Sequence, residues 1–152
     1  GVVSVVKAIA PVGYPASRGE AAGHPVAVDE AGIRGLGCEV LYSSVEEGPD
    51  GRLYTKGSRA FEIVCWGESY GEAYRRSEAA VAYVESLDGW PLFYRSDIGS
   101  EWLIAERVRV AERVRRVYEY RRSRGLPREP AVWLPGKGFL TSPLLSQLGW
   151  SG

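Results

Sequence analysis

Several residue types are scarce or missing in this chain of 152 residues. It contains no methionine, one histidine and two cysteines, and its 19 basic side chains balance its 19 acidic ones. So few sulfur and imidazole ligands make a zinc site improbable. No apolar run approaches the length of a membrane helix, and the zero net charge creates no overall attraction to nucleic acid or membranes. We therefore expect no metal, no membrane partner, no nucleic-acid partner and a cytoplasmic location.

The missing methionine, the two cysteines and the single histidine each lead to a further prediction. The chain begins without methionine and enters a strand-like run at once, which favours a domain cut from a longer polypeptide. Cys38 and Cys65 lie far apart among apolar or small neighbours, so we expect two buried free thiols. His24 is followed by a proline in a loop, which is typical of a surface histidine.

The residues that are present predict an α+β fold. Alternating and β-branched apolar residues predict strands over 2–9, 25–28, 38–42, 59–66 and 92–94. Gly48-Pro49-Asp50-Gly51 predicts a tight turn between two more strands. We therefore expect a mostly antiparallel sheet with helices packed on it. Residues 31–37 are rich in glycine and are expected to be irregular.

Two helices are predicted after the fourth of these strands. The first begins at Ser69, where Glu72 completes a capping box, and continues to about Leu87. The second covers 101–124 and contains eight arginines and four glutamates. Opposite charges three or four residues apart, such as Glu112 with Arg116 and Glu119 with Arg122, predict weak ion pairs on a solvated face.

The pattern of elements predicts two parts. Residues 1–104 are expected to form the α+β domain. Residues 105–152 are expected to be a helical extension followed by an ordered tail, packed on the same domain. The tail contains three large aromatic residues, Trp133, Phe139 and Trp150, which favour packing over exposure.

Four short motifs follow one another in the first two thirds of the chain. They are Gly13-Tyr14-Pro15 with Arg18 and Gly19; Thr55, Gly57 and Arg59 before a strand; Gly67 before a helix with Glu72, Ala73, Ala80 and Tyr83; and Tyr94-Arg95-Ser96-Asp97-Ile98-Gly99. Their order and spacing over roughly residues 2–104 resemble the C-terminal domain of the phosphoribosylamine–glycine ligases, or glycinamide ribonucleotide synthetases, of the ATP-grasp superfamily. The chain departs from that pattern at Ser58, where a second glycine is usual, and at Tyr42-Ser43-Ser44.

The resemblance implies a part of an enzyme of purine biosynthesis. Such enzymes couple ATP hydrolysis to amide formation between glycine and 5-phosphoribosylamine, and their last domain completes the active-site cleft. An upstream ATP-grasp core of the same polypeptide is then the expected partner. ATP and Mg²⁺ would bind mainly outside this chain, because it shows neither a paired acidic motif nor a glycine-rich phosphate loop. The chain alone would be inactive, with no catalytic residue or metal ligand of its own.

The resemblance also implies which residues contact substrate. A cleft that holds several anionic groups needs guanidinium groups and backbone N–H donors. Arg18, Arg59, Arg95 and Asp97 are therefore the expected substrate-binding side chains, with four further loop or backbone positions at Tyr14, Gly19, Gly57 and Gly99. The residues themselves leave alternatives open: Arg59 could pair with a local carboxylate at a strand end, and Arg95 with Asp97 could form an internal ion pair.

Two other functions are compatible with the sequence. The first is the similar domain of a biotin carboxylase-like enzyme or of another purine-pathway ATP-grasp enzyme. The second is a non-catalytic interaction module in which the arginine-rich helix binds an acidic partner.

Overall fold

The computed structural model describes residues 1–126, 131–136 and 138–141. The chain divides into two compact units, Gly1–Ala105 and Glu106–Gly152, and the boundary lies inside a helix. The first unit contains two four-stranded sheets in which every recorded strand pair is antiparallel. The predicted α+β class is confirmed. None of the helices in the described ranges is long and apolar enough to cross a membrane.

The first sheet is built around strand β1 (Val3–Pro11), which lies between β6 (Phe61–Gly67) and β8 (Leu92–Tyr94). Strand β3 (Cys38–Tyr42) pairs with the other side of β6. The alternation in β6 places Phe61, Ile63 and Cys65 in the interior, all without exposed surface. Ile9 of β1 lies opposite both Phe61 and Tyr94, so the central strand fixes the register of both neighbours.

The second sheet has the order β4 (Val45–Glu47), β5 (Leu53–Lys56), β2 (Ala22–Val28) and β7 (Val84–Ser86). Strands β4 and β5 form the hairpin that the Gly48–Gly51 turn predicts, and Gly51 adopts a φ of 76°. Val26 of β2 packs with Phe61, the first residue of β6, and with Ala60, which precedes it. The apolar faces of the two sheets therefore meet near the start of β6.

Helices cover the first sheet. Helix α1 (Glu30–Gly35) begins at Asp29, whose carboxylate accepts a hydrogen bond from the Gly32 N–H at 2.9 Å. Helix α2 (Tyr70–Ala80) begins after Ser69 as predicted, and Ser69 accepts from the Glu72 N–H. The main core joins these helices to the sheet through Ile9, Ile33, Cys38, Ile63, Cys65, Ala80 and Val81.

Two predictions about helices in this part of the chain are wrong. Residues 30–35 form α1 although their glycines favour irregular backbone, because the Asp29 cap and the burial of Ile33 stabilise a short helix. Helix α2 ends at Ala80, not near Leu87. A 3₁₀ turn follows at Val81–Tyr83, and β7 then pairs with β2, so sheet formation overrides the local helical spacing.

The prediction of free thiols is also wrong. Cys38 and Cys65 lie opposite each other on β3 and β6 and form a disulfide that joins the two strands. Both residues are buried, as expected from their neighbours. Their separation of 27 residues hides the pairing in the sequence, because only the strand register brings them together.

The second unit contains the greater part of helix α3 (Glu101–Ser123) and an antiparallel hairpin of β9 (Ala131–Leu134) and β10 (Gly138–Thr141). No residue of α3 is buried. Trp133 is exposed. Trp150 and the side chain of Phe139 lie outside the described residues, so packing of the tail on the first domain stays a prediction.

The disulfide gives a direct test of the fold. It closes a long loop, and a cross-link of this length stabilises a folded protein by about 3 kcal/mol. We expect reduction to lower the free energy of unfolding by about that amount in urea denaturation. A Cys38→Ala/Cys65→Ala variant is the control, since reductant should not change its stability. Equal stability of the oxidised and reduced protein would contradict the pairing.

Candidate functional site

The first predicted motif forms a compact loop after β1. The Ser17 N–H donates to the Gly13 carbonyl and the Ala21 N–H donates to the Ser17 carbonyl, which closes two successive turns. The Tyr14–Pro15 peptide bond is cis. The buried Thr55 hydroxyl donates to the Ala21 carbonyl at 2.8 Å, so the loop is tied to β5.

A close backbone contact connects this loop to the second motif. Gly57 is buried with a φ of 77°, and a Cβ atom there would lie 2.2 Å from the Arg18 carbonyl oxygen. Only glycine fits, because it lacks the Cβ and tolerates the left-handed conformation. Arg18 and the segment leading to Arg59 are thereby held side by side.

The two arginines at this contact are exposed. Across the described ranges, no carboxylate lies within 4 Å of either guanidinium group. Arg18 lies over the ring of Tyr14, with its Cζ 5.8 Å from the ring centroid. The local ion pair that the sequence allowed for Arg59 is therefore not formed, and both guanidinium groups are available to an anion from solvent.

Arg95 and Asp97 are arranged differently. The guanidinium group of Arg95 donates to both carboxylate oxygens of Asp97, at 3.0 and 2.6 Å. This hydrogen bonding holds the pKa of Asp97 below its usual value and raises that of Arg95. The internal ion pair is thus the arrangement that the structure shows for these two side chains.

The backbone of the turn that contains Arg95 and Asp97 is hydrogen-bonded to the buried side chain of Lys7. The Lys7 side chain has no exposed surface, and its ammonium group donates to the carbonyls of Arg95 and Ser96 at 3.3 and 3.0 Å. The same ammonium forms an ion pair with Glu78 of α2. Lys7 is the residue that sequence reasoning missed. Its signal was a lysine in the alternating apolar pattern of β1, between Val5 and Ile9.

The remaining predicted positions have unequal structural roles. Gly99 is buried at a φ of 83°, and a Cβ atom there would lie 2.6 Å from the Val5 side chain. It is therefore required for the turn to pack on β1. Gly19 is exposed, and no atom would meet its Cβ within 4 Å. Tyr14 is half-buried beneath Arg18.

The predicted residues form two groups rather than one cluster. Arg59 lies two residues before Phe61, the first residue of β6, and Arg95 directly follows Tyr94, the last residue of β8. Phe61 and Tyr94 both lie opposite Ile9 of β1. The two arginines therefore lie on opposite sides of β1. Their positions are offset along the direction of β1 by about three residues, which is about 10 Å. The first group consists of Tyr14, Arg18, Gly19, Gly57 and Arg59, and the second of Arg95, Asp97 and Gly99.

The His24 ring makes more contacts than we expected for a surface histidine. Its ring stacks on Trp90 with centroids 4.2 Å apart. Nδ1 lies 2.8 Å from an Asp88 oxygen, and Nε2 lies 2.7 Å from the Glu20 carbonyl. Burial disfavours the imidazolium, but these hydrogen bonds outweigh it and raise the pKa of His24, while the pKa of Asp88 falls to about 2. Protonated His24 thus ties the first loop to the turn before β8.

The part of the chain that the structure describes offers no site for a magnesium ion. It contains no group of three or more histidine, cysteine, aspartate or glutamate side chains that could hold a metal ion. Its exposed basic groups suit the binding of an anion, not the binding of a metal.

Comparisons with known proteins identify the family of the chain. Residues 4–101 match the family model described as "Phosphoribosylglycinamide synthetase, C domain". The phosphoribosylamine–glycine ligase of Pyrococcus horikoshii is 36% identical over 116 residues, which are 76% of this chain and 24% of the relative. That of Methanobrevibacter smithii is 38% identical over 105 residues, or 69% of this chain and 22% of the relative.

A crystal structure of phosphoribosylamine–glycine ligase from Thermotoga maritima is 28% identical and covers 63% of this chain and 21% of its own, with a TM-score of 0.48. The first unit is an α+β domain of two antiparallel sheets, and the sequence relatives of the chain are ligases. More specifically, the chain belongs to the phosphoribosylglycinamide synthetase C-domain family. It spans about a quarter of the length of the curated relatives described above. Their names favour this family over a biotin carboxylase-like one.

The contact at Gly57 yields a prediction about stability. Gly57→Ala should cost about 1–2 kcal/mol for the left-handed backbone and roughly 1–3 kcal/mol more for the clash with the Arg18 carbonyl. Gly51→Ala is the matched control, because Gly51 has nearly the same φ but no atom within 4 Å of its Cβ position. Chemical denaturation measures both. Equal losses in the two variants would show that the loop does not contact Gly57.

The third prediction concerns pH. Because the folded pKa of His24 is raised above 6.5, its contribution to stability is full at pH values below 6.5 and is lost as the pH rises through the folded pKa. His24 is the only histidine, so its ring protons can be followed by NMR without assignment. We expect Asp88→Asn to lower the titration midpoint. An unchanged midpoint in that variant would contradict the Asp88 contact.

Proposed function

We propose that this chain is the C-terminal part of a phosphoribosylamine–glycine ligase, where it completes the substrate cleft of an ATP-grasp core in the same cytoplasmic polypeptide. The observation that carries the proposal is the pair of exposed guanidinium groups at Arg18 and Arg59, held on adjoining backbones by Gly57. The match of residues 4–101 to the synthetase C-domain family supports it. So does the length of the relatives, which leaves room for a larger core.

The chemistry of this reaction requires cationic groups at the cleft. Its two substrates carry a phosphate and a carboxylate, and a cleft that brings them together must offset their mutual repulsion. Guanidinium groups do so with short, paired hydrogen bonds to either anion. We assign Arg18 and Arg59 to this task, with the Tyr14 ring supporting the Arg18 side chain.

Arg95 and Asp97 have a different role in this proposal. Since Asp97 accepts both hydrogen bonds of the Arg95 fork, a substrate anion would have to displace a carboxylate that is already in place. We therefore assign this pair and Gly99 to holding the turn after β8 in shape. Lys7 supports the same turn from the interior through two backbone carbonyls.

ATP and Mg²⁺ are assigned to the ATP-grasp core and not to this chain. The described residues offer no carboxylate cluster for the metal. ATP supplies the phosphoryl group that activates the glycine carboxylate, and this domain contributes anion binding and closure of the cleft. On this assignment the chain alone has no ligase activity.

The fourth prediction tests Arg59 in the full-length enzyme. Arg59→Ala removes a charged hydrogen-bond donor that contributes about 1.5–3 kcal/mol, so kcat/KM for phosphoribosylamine should fall roughly 10- to 100-fold. ADP release with phosphoribosylamine generated in situ measures the effect. The matched control is Arg52→Ala, which removes an exposed arginine next to Asp50 in the β4–β5 turn. An unchanged kcat/KM in a folded Arg59→Ala enzyme would remove Arg59 from the site.

A further inference from the structure

The second unit carries a charge that the total conceals. Residues 1–105 contain nine lysine and arginine residues against fifteen acidic ones, whereas residues 106–152 contain ten against four. The net charges are therefore −6 and +6. The expectation of no nucleic-acid partner was based on the total alone, which describes neither unit. The basic unit also lies beyond the family match, which ends at residue 101.

The basic charge is concentrated in the last half of helix α3. Six arginines occur within 113–124, with Glu119 as the one acidic residue among them. The predicted pairs Glu112–Arg116 and Glu119–Arg122 are not formed, and the ion pair recorded in α3 is Arg109–Glu106. No carboxylate of the described chain lies within 4 Å of these six guanidinium groups. They are Arg113, Arg115, Arg116, Arg121, Arg122 and Arg124.

Aromatic rings are interleaved with these arginines. Tyr118 and Tyr120 are 49% and 58% exposed, and Arg124 lies over the ring of Tyr120 at 5.5 Å. The second unit also contains a concave site of about 580 Å³, whose described lining includes Arg115, Tyr118 and Arg122.

We propose that the arginine-rich half of α3 binds single-stranded nucleic acid. Guanidinium groups at this density fit a chain of phosphates, each of which accepts a forked pair of hydrogen bonds. Exposed tyrosine rings can stack on bases only where the bases are unstacked, which favours a single strand over a duplex. RNA and DNA share this chemistry, so the structure assigns both to the same surface.

Other anionic partners fit less well. A helix that lies on a membrane separates a continuous apolar face from a polar one. Here Arg121 lies two turns after Val114 on the same face, and the five of these arginines that belong to α3 are distributed around the helix axis. An acidic protein segment would satisfy the charge but would offer no planar bases for Tyr118 and Tyr120.

The test uses fluorescence anisotropy with labelled 15-nucleotide single-stranded RNA and DNA and the matching duplex, in 0.05–0.3 M KCl. We expect tighter binding of the single strands and a linear fall of log K with log salt. Arg115→Gln/Arg121→Gln/Arg122→Gln should weaken binding at least tenfold at about 0.15 M salt and reduce the slope by about 2. Tyr118→Ala/Tyr120→Ala should weaken it roughly fivefold or more, whereas Tyr→Phe at both positions should not.

The matched control removes the same charge from the first unit through Arg34→Gln/Arg52→Gln/Arg75→Gln, three exposed arginines. It should bind as the unmodified chain does. Several results would overturn the proposal: no binding, equal loss in the control, a duplex bound as tightly as the single strands, or tighter binding of polyglutamate or phosphatidylserine vesicles. Residues 106–152 lie outside the family-model match and contain none of the side chains assigned to the substrate cleft, so loss of nucleic-acid binding is separable from loss of ligase activity.

Discussion

The ammonium group of Lys7 joins three parts of the first unit, namely β1, helix α2 and the turn after β8. It forms an ion pair with Glu78 on α2, donates to the carbonyls of Arg95 and Ser96, and lies 4.7 and 5.4 Å from the ring centroids of Tyr74 and Tyr94. Within the described chain, the buried Glu78 oxygen that faces Lys7 has no other hydrogen-bond partner. The fully buried Lys7 charge thus depends on Glu78, because a buried charge without a partner is strongly destabilising.

This arrangement explains why a charged turn can lie against the central strand. The Arg95–Asp97 pair remains near solvent, while the backbone beneath it is held by Lys7 and the packing of Gly99 on Val5. At the other end of β1, the contact of Gly57 with Arg18 holds the first loop. The two groups of predicted residues are therefore organised by one strand but supported by different interactions, one electrostatic and one steric.

Local sequence patterns predicted the structure correctly wherever a pattern had one physical solution. The alternation in 59–66 predicted β6, the Gly48–Gly51 turn predicted a hairpin, and Ser69 predicted the start of α2. Local patterns failed where a distant partner decided the outcome. Tyr83 and Val84 continue a helical spacing but leave the helix because β2 offers a strand to pair with, and Cys38 meets Cys65 only through the register of β3 and β6.

For the candidate site, too, some features followed from local sequence and others from distant contacts. By itself, the sequence determined the identity and order of the motifs, including Arg18, Arg59 and Arg95, because these depend only on residue type and spacing. Only the tertiary structure decided that Arg95 is engaged by Asp97 whereas Arg18 and Arg59 are open to solvent, and that Lys7 is buried beneath the turn. The physical reason is that charge pairing acts over a few ångströms in space, and strand pairing sets those distances between residues far apart in the chain.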